Sequence, residues 1–301
     1  VARGRDMSPH DWARTEIYVN TTRMQRRIRE VFDAGPARLL PRIKLITDLA
    51  DDPVALAVPP AIAPLRRRFE LLQAVAKLIE QQPDIAPRAA LYDLSDSLAK
   101  LMDEMQGEGV SPAIIEALDV SDKSGHWARA KSFIEIVQRY FDTDEHAPDS
   151  EARQRMVVFA LKAIWDQAPP QTPIILAGST GSRGTTLELM KAVAALPQGA
   201  VVLPGYDFDM PAPIWSTLNN ALTTEDHPQY RFARLLSDLE MDPRDVAQWT
   251  HAPAPDAERN KVISLALRPA PVTDGWLRDG PKLQNLPSAM KGVTLVTAQT
   301  P

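Results

Sequence analysis

Apolar and polar positions recur in two different rhythms along this chain, and each change of rhythm marks a new element. Glu16-Ile17-Tyr18-Val19-Asn20 is β-branched and aromatic, which predicts a buried strand. Thr21-Thr22 follows, and threonine at such a place caps a helix. Over Arg23–Phe32, Met24, Ile28 and Val31 share one helical face, with Arg23, Arg26 and Arg27 beside it; Gly35-Pro36 ends the helix. Leu39–Ile46 is extended and apolar and carries Arg42 and Lys44. From 64 to 141 the period becomes helical throughout. Leu65, Phe69, Leu72, Ala76 and Ile79 form one stripe, and Leu91, Leu94, Leu98, Leu101 and Met105 another. Ser111-Pro112 reads as a cap with proline at the first helical position, and Trp127, Ile134, Val137 and Tyr140 mark a further helix.

After a polar stretch from Asp142 to Ser150, read as a linker, strands return. A helix is expected from Ser150 to Asp166, with Met156, Phe159 and Ala163 as its stripe. Then come a strand over 173–177, a glycine-rich loop, a helix over 185–196 and a strand over 200–203. Residues 211–222 and 228–239 read as helices, and Asp242-Pro243 caps another. Residues 268–289 hold several prolines and glycines and read as a connector. Gly292–Ala298 reads as the strand that opens a new domain. Strands separated by helices predict an α/β fold with a mainly parallel sheet, interrupted by an all-helical subdomain. The expected parts are 1–58 and 150–290 for the α/β domain, 59–149 for the helical subdomain and 291–301 for the start of a second α/β domain. The opening at Val1 and the stop at Pro301 are read as the ends of a fragment of a longer protein.

Ligands of parallel sheets bind beyond the carboxyl ends of the strands. Those ends are expected at Asn20–Arg23, Gly178–Thr186, Pro204–Asp207 and Thr297–Gln299. The loop Gly178-Ser179-Thr180-Gly181-Ser182-Arg183-Gly184-Thr185-Thr186 has the strand–loop–helix setting in which backbone N–H groups cradle phosphate. It lacks the lysine of a phosphate loop and any carboxylate for magnesium, which argues against ATP hydrolysis. Two readings stay open. Gly178, Gly181, Arg183 and Gly184 approach a pyrophosphate, with Asp207 on a ribose hydroxyl, as in a dinucleotide-binding enzyme. Alternatively the glycines make a tight turn with close helix packing. The histidines, His126 and His251 among them, show no metal-ligand spacing, and Asp103-Glu104 and Asp144-Glu145 read as solvated surface.

Charge adds one feature. The net charge is −5, yet residues 1–77 hold 14 Lys/Arg against 9 Asp/Glu, so a basic end stands on an acidic remainder. That asymmetry suits a face for a polyanion, or simply a solvated helix. For single-stranded nucleic acid, Thr21, Thr22, Arg23, Arg26 and Arg42 are candidates to grip phosphates. Tyr206, Trp215 and Tyr230 are candidates to stack bases, against a core-packing alternative. There is no cysteine, which excludes disulfides, thiolate metal sites and iron–sulfur ligation within these residues and fits a reducing compartment. No apolar run approaches the ~20 residues of a membrane-spanning helix, and no basic-then-apolar leader supports secretion.

The strings EIYVNTTRMQRR (16–27), LLPRIKLITDL (39–49), PPAIAPLRRRF (59–69), IILAGSTGS (174–182), LPQGAVVLPGYDFD (196–209) and HPQYRFARLL (227–236) together resemble the AddB-type subunits of AddAB helicase–nucleases, in their alphaproteobacterial form. The resemblance implies a RecA-like, superfamily-1 helicase-like domain with an inserted helical subdomain, in a cytoplasmic, nucleoid-associated protein of double-strand-break repair. By resemblance, Asn20, Thr21, Thr22 and Arg23 match a segment that contacts single-stranded DNA. Ile174–Ser179 matches a degenerate magnesium-binding strand, and Val201–Asp207 the next strand with its DNA-facing loop, which holds Tyr206 and Asp207. The implied role is to guide the 3′ strand and scan it for a recombination hotspot, on single- and double-stranded DNA ends. The implied partner is an AddA-type motor subunit that uses ATP. The family's nuclease and iron–sulfur cluster belong to a C-terminal region outside these residues, and its phosphate loop would precede Val1. No cofactor or metal is expected in this chain.

Overall fold

The computed structural model describes residues 7–111, 113, 114, 117, 147–249 and 254–297. They divide into two compact units: Ala13–Leu176 with Ser182–Val201, and Ala177–Gly181 with Val202–Pro301, the latter including the described part of Val1–Trp12. In chain order the elements that matter are α1 (Pro9–Arg14), β1 (Glu16–Val19), α2 (Thr22–Asp33), β2 (Arg42–Leu45), α3 (Pro64–Gln81), α4 (Leu91–Glu108), α5 (Ser150–Gln167), β3 (Ile174–Ala177), α6 (Gly184–Ala194) and β4 (Gly199–Val202).

The expected parallel sheet is present: four strands in the order β2-β1-β3-β4. β1 and β2 pair in parallel with Glu16 opposite Arg42 and Val19 opposite Leu45. Ile174 N–H donates to Gln198 O and Gly178 N–H to Val202 O, so β3 and β4 also advance together. Parallel strands need crossovers, and helices supply them; β3 is apolar throughout, whereas β1 and β2 alternate, with Glu16, Arg42 and Lys44 on the face opposite Ile17, Val19 and Ile43. Ile17, Val19 and Ile43 form one core cluster, against which Met24, Ile28, Phe32, Leu45 and Ile175 pack.

The helical excursion packs Leu71, Val75, Ile79, Leu98, Met102 and Met105 together. Here the expected stripe on α3 is corrected. Leu65 and Phe69 are 64% and 57% exposed, and the buried face is Leu71, Val75, Leu78 and Ile79. Arg67 lies on that same face, one turn before Leu71, and reaches Asp103 (2.6 Å) and Asp149 (3.0 Å). On α5, likewise, Val157, Val158, Leu161 and Trp165 are buried, whereas Phe159 is exposed. Asp149 is no linker residue. It is buried, it caps α5 by accepting from Ala152 N–H at 2.8 Å, and the Gln106 side-chain amide donates to it as well. Burial pushes its carboxyl above the usual range, against the pull of the Ala152 N–H and Arg67. The helix expected on Trp127, Ile134, Val137 and Tyr140 lies outside the described residues, as do Pro112, His126, Asp144, Glu145 and His251.

The second unit is built of short helices: α7 (Ala212–Trp215), α8 (Ala221–Thr224), α9 (Tyr230–Asp238), α10 (Ala257–Ala266), α11 (Gly275–Asp279) and α12 (Leu286–Ala289). The single helix expected over 211–222 is broken. Ser216 and Thr217 hydroxyls donate to backbone carbonyls of the turn before, and the Asn220 side chain starts a new cap. The 268–289 segment is no bare connector. Arg268 is buried and pairs with Asp279, and the Trp276 indole donates to Leu265 O at 2.8 Å. Helix α10 has no counterpart in the sequence reading. The strand expected over Gly292–Ala298 is not formed within 293–297, where Leu295 is 92% exposed and no ladder is made among the described residues. Ala298 and Gln299 lie outside them.

Candidate functional site

Two helices of the sheet unit start just after strands, and their starts differ. At the first, Asn20 is exposed and Thr21 is extended, its hydroxyl oxygen accepting from Met24 N–H at 3.2 Å. This is the N-cap the sequence predicted. Thr22 opens α2. The helix is pinned from behind: Gln25 donates to Ile43 O at 2.9 Å, and Met24, Ile28 and Phe32 face the sheet. Arg23, Arg26 and Arg29 are therefore presented outward, and among the described residues none has a carboxylate partner, while Arg27 pairs with Glu30 at 3.0 Å. Arg29 is an addition to the sequence-based candidates, although its spacing from Arg26 carries the signal.

Arg42 is not part of that group. The register places it opposite Glu16, at the amino end of β2, whereas Asn20–Arg23 follow the carboxyl end of β1. Glu16 lies 3.7 Å from Arg42 and 2.9 Å from Lys44, and it also accepts from the Tyr18 hydroxyl at 2.8 Å. Burial and this carboxylate raise the Tyr18 pKa strongly, so the phenol stays protonated.

The second helix start is occupied. Gly184 is the first residue of α6, and its N–H donates to Glu108 Oε1 at 2.9 Å. A Cβ on Gly184 would stand 2.8 Å from both Glu108 Cα and Gly107 O, so only glycine admits the end of α4 here. The Thr185 hydroxyl donates to Gly107 O at 3.1 Å, and Arg183 pairs with Glu151 at 3.1 Å. Glu108 has no signal in the sequence as a partner of this loop. Gly178 and Gly181 fall in the other unit, both in the left-handed region at φ +79° and +67°, and the Gly181 N–H donates to the Ser179 hydroxyl. These glycines serve a tight turn.

In the second unit the segment after β4 is held rigidly. Gln229 donates to Gly205 O at 2.9 Å and accepts from Asp207 N–H at 3.1 Å; its own N–H donates to His227 Nδ1. The Asp207 carboxylate turns back to accept from Asp209 N–H. Tyr206 stacks on Trp215 with ring centroids 4.8 Å apart and donates its hydroxyl to Pro243 O at 2.7 Å. Trp215 and Tyr230 are buried, so neither presents a ring for a base, and the core-packing alternative holds for both. Phe208 meets the edge of Tyr206 and is half exposed; it is the aromatic this segment offers to solvent. Burial and the neighbouring Asp207 raise the Asp209 pKa, and burial lowers that of His227.

Among the described residues no cluster of three or more His, Cys, Asp or Glu is placed to hold a metal ion, and no helix is long and apolar enough to cross a membrane. Compared with known proteins, the chain matches no family model and no curated protein.

Proposed function

We propose that this chain is the helicase-like region of an AddB-type subunit, which holds and guides single-stranded DNA and docks an AddA-type motor subunit without hydrolysing ATP itself. The observation that carries the reading is the outward set Arg23, Arg26 and Arg29 on a helix fixed to the sheet, free of carboxylates among the described residues. Cations that carry no internal partner keep their charge for phosphates and release counterions when they bind them. The parallel sheet flanked by helices is consistent with a RecA-like domain. The alternative, a nucleotide or dinucleotide enzyme at Gly178–Gly184, meets a helix start already filled by Glu108.

The test is fluorescence anisotropy with a labelled oligothymidine across a salt series. Binding that weakens steeply as salt rises, with a log–log slope of about −0.7 per phosphate contacted, is expected. Affinity that is absent at low salt, or flat with salt, would reject the reading.

A further inference from the structure

His227 is buried within the second unit, and the protonation of its ring is set by its neighbours. Nδ1 accepts from the Gln229 N–H at 3.1 Å, so the neutral ring carries its proton on Nε2, which is buried without a hydrogen-bond partner among the described residues. The ring has nowhere to retreat. The His227 N–H donates to Thr224 O at 3.0 Å, and the His227 carbonyl accepts from Tyr230 N–H at 2.9 Å, which fixes the turn leading into α9. Gln229 is buried as well, and its side chain spans the segment after β4, donating to Gly205 O and accepting from Asp207 N–H. One ring therefore stands behind the residue that holds that segment in place. The charged groups that face it are Asp226 from its own turn and Asp207 from the held segment. The end of α10 offers the Leu267 carbonyl, while the next residue, Arg268, is turned to Asp279. Asp207, Asp226 and that carbonyl favour a proton on the ring; burial outweighs them, and the His227 pKa lies below its usual value.

We propose that His227 and Gln229 form an acid-released latch: a second proton on the ring replaces the Nδ1 lone pair with an N–H that confronts the Gln229 N–H, Gln229 gives way, and the Gly205–Asp209 segment is freed together with the half-exposed Phe208. The latch is closed above a pH of about 6.5 and loosens as pH falls below it. It lies inside one unit, uses no residue of α2, and survives the failure of DNA binding there.

The experiment is hydrogen–deuterium exchange on the full chain at pH 7.5 and 5.5, with each rate corrected for intrinsic exchange at that pH. In wild type, protection over 205–209 should fall roughly fivefold or more at pH 5.5, while protection in α9 holds. His227→Asn offers an oxygen to the Gln229 N–H and does not titrate, so its protection should be equal at both pH values. Gln229→Ala removes the clamp and should leave 205–209 poorly protected at both; it carries the test if His227→Asn does not fold. Asp209, whose own pKa is raised, stays in place in both variants. A fall that persists in His227→Asn would therefore belong to the carboxyl groups and overturn the proposal. So would wild-type protection that ignores pH, a parallel loss in α9, or full protection in Gln229→Ala.

Discussion

The starts of α2 and α6 follow strands of one parallel sheet, yet they have opposite fates. At α2 the cap comes from the adjacent Thr21, and Arg23, Arg26 and Arg29 are left without carboxylate partners among the described residues, Arg27 alone pairing with Glu30. At α6 the cap comes from a distant helix, and the nearby cation, Arg183, is paired with Glu151. Both starts have the geometry that attracts anions. What distinguishes them is whether the fold has already provided the negative charge. A helix start after a strand is therefore an opportunity, and the neighbouring elements decide whether it is kept open.

The sharpest way to break this contrast is to remove the free cations. Arg23→Ala, Arg26→Ala and Arg29→Ala together should weaken oligothymidine binding at least roughly tenfold at low salt and flatten the log–log salt slope by about 2, with an unchanged Tm. Unchanged affinity in an anisotropy titration would mean that the row is only solvated surface. Next in size is Gly184→Ala. Its Cβ meets backbone atoms rather than a flexible side-chain tip, so it should cost about 1–3 kcal/mol in urea unfolding. A neutral result would mean that the junction of α4 and α6 yields easily. The smallest effect concerns pH, because any comparison of the two helix starts in acid needs a known background. The His227 pKa is depressed by burial. Its contribution is then complete above the unfolded value near 6.5 and is lost as pH falls toward the folded value. His227→Asn should make stability flatter between pH 7 and 5; an equally steep fall would place the acid sensitivity elsewhere.

Much of the sheet can be read from the residues because its signals are local. A β-branched run marks β1, the threonine after it marks the cap, and apolar tetrapeptides mark β3 and β4. The faces of α3 and α5 cannot be read in the same way. Each helix carries more than one apolar stripe, and the one buried at α3 is the one that packs on α4 and runs with Arg67, which reaches Asp103 and Asp149 across the excursion. Local spacing contains no record of that contact. The site divides along the same line. Thr21, Arg23 and Arg26 are legible, being within six residues of one another and placed just beyond a strand. Glu108 is not, because nothing in the glycine loop specifies its partner. Trp215 and Tyr230 stay ambiguous in the sequence because aromatic type alone does not tell a ring packed in a core from one on a surface.

The way the helical excursion is tied at its base has a practical outcome. Ile62 N–H donates to Pro148 O at 2.8 Å, so the chain leaves for α3 and returns for α5 through adjacent doors. Arg153 holds the threshold by donating to the carbonyls of Ala50, Ala55 and Pro59. An excursion entered and left at one point behaves as a cassette, whose length can change, or whose contents can be exchanged, while the strands on either side keep their register.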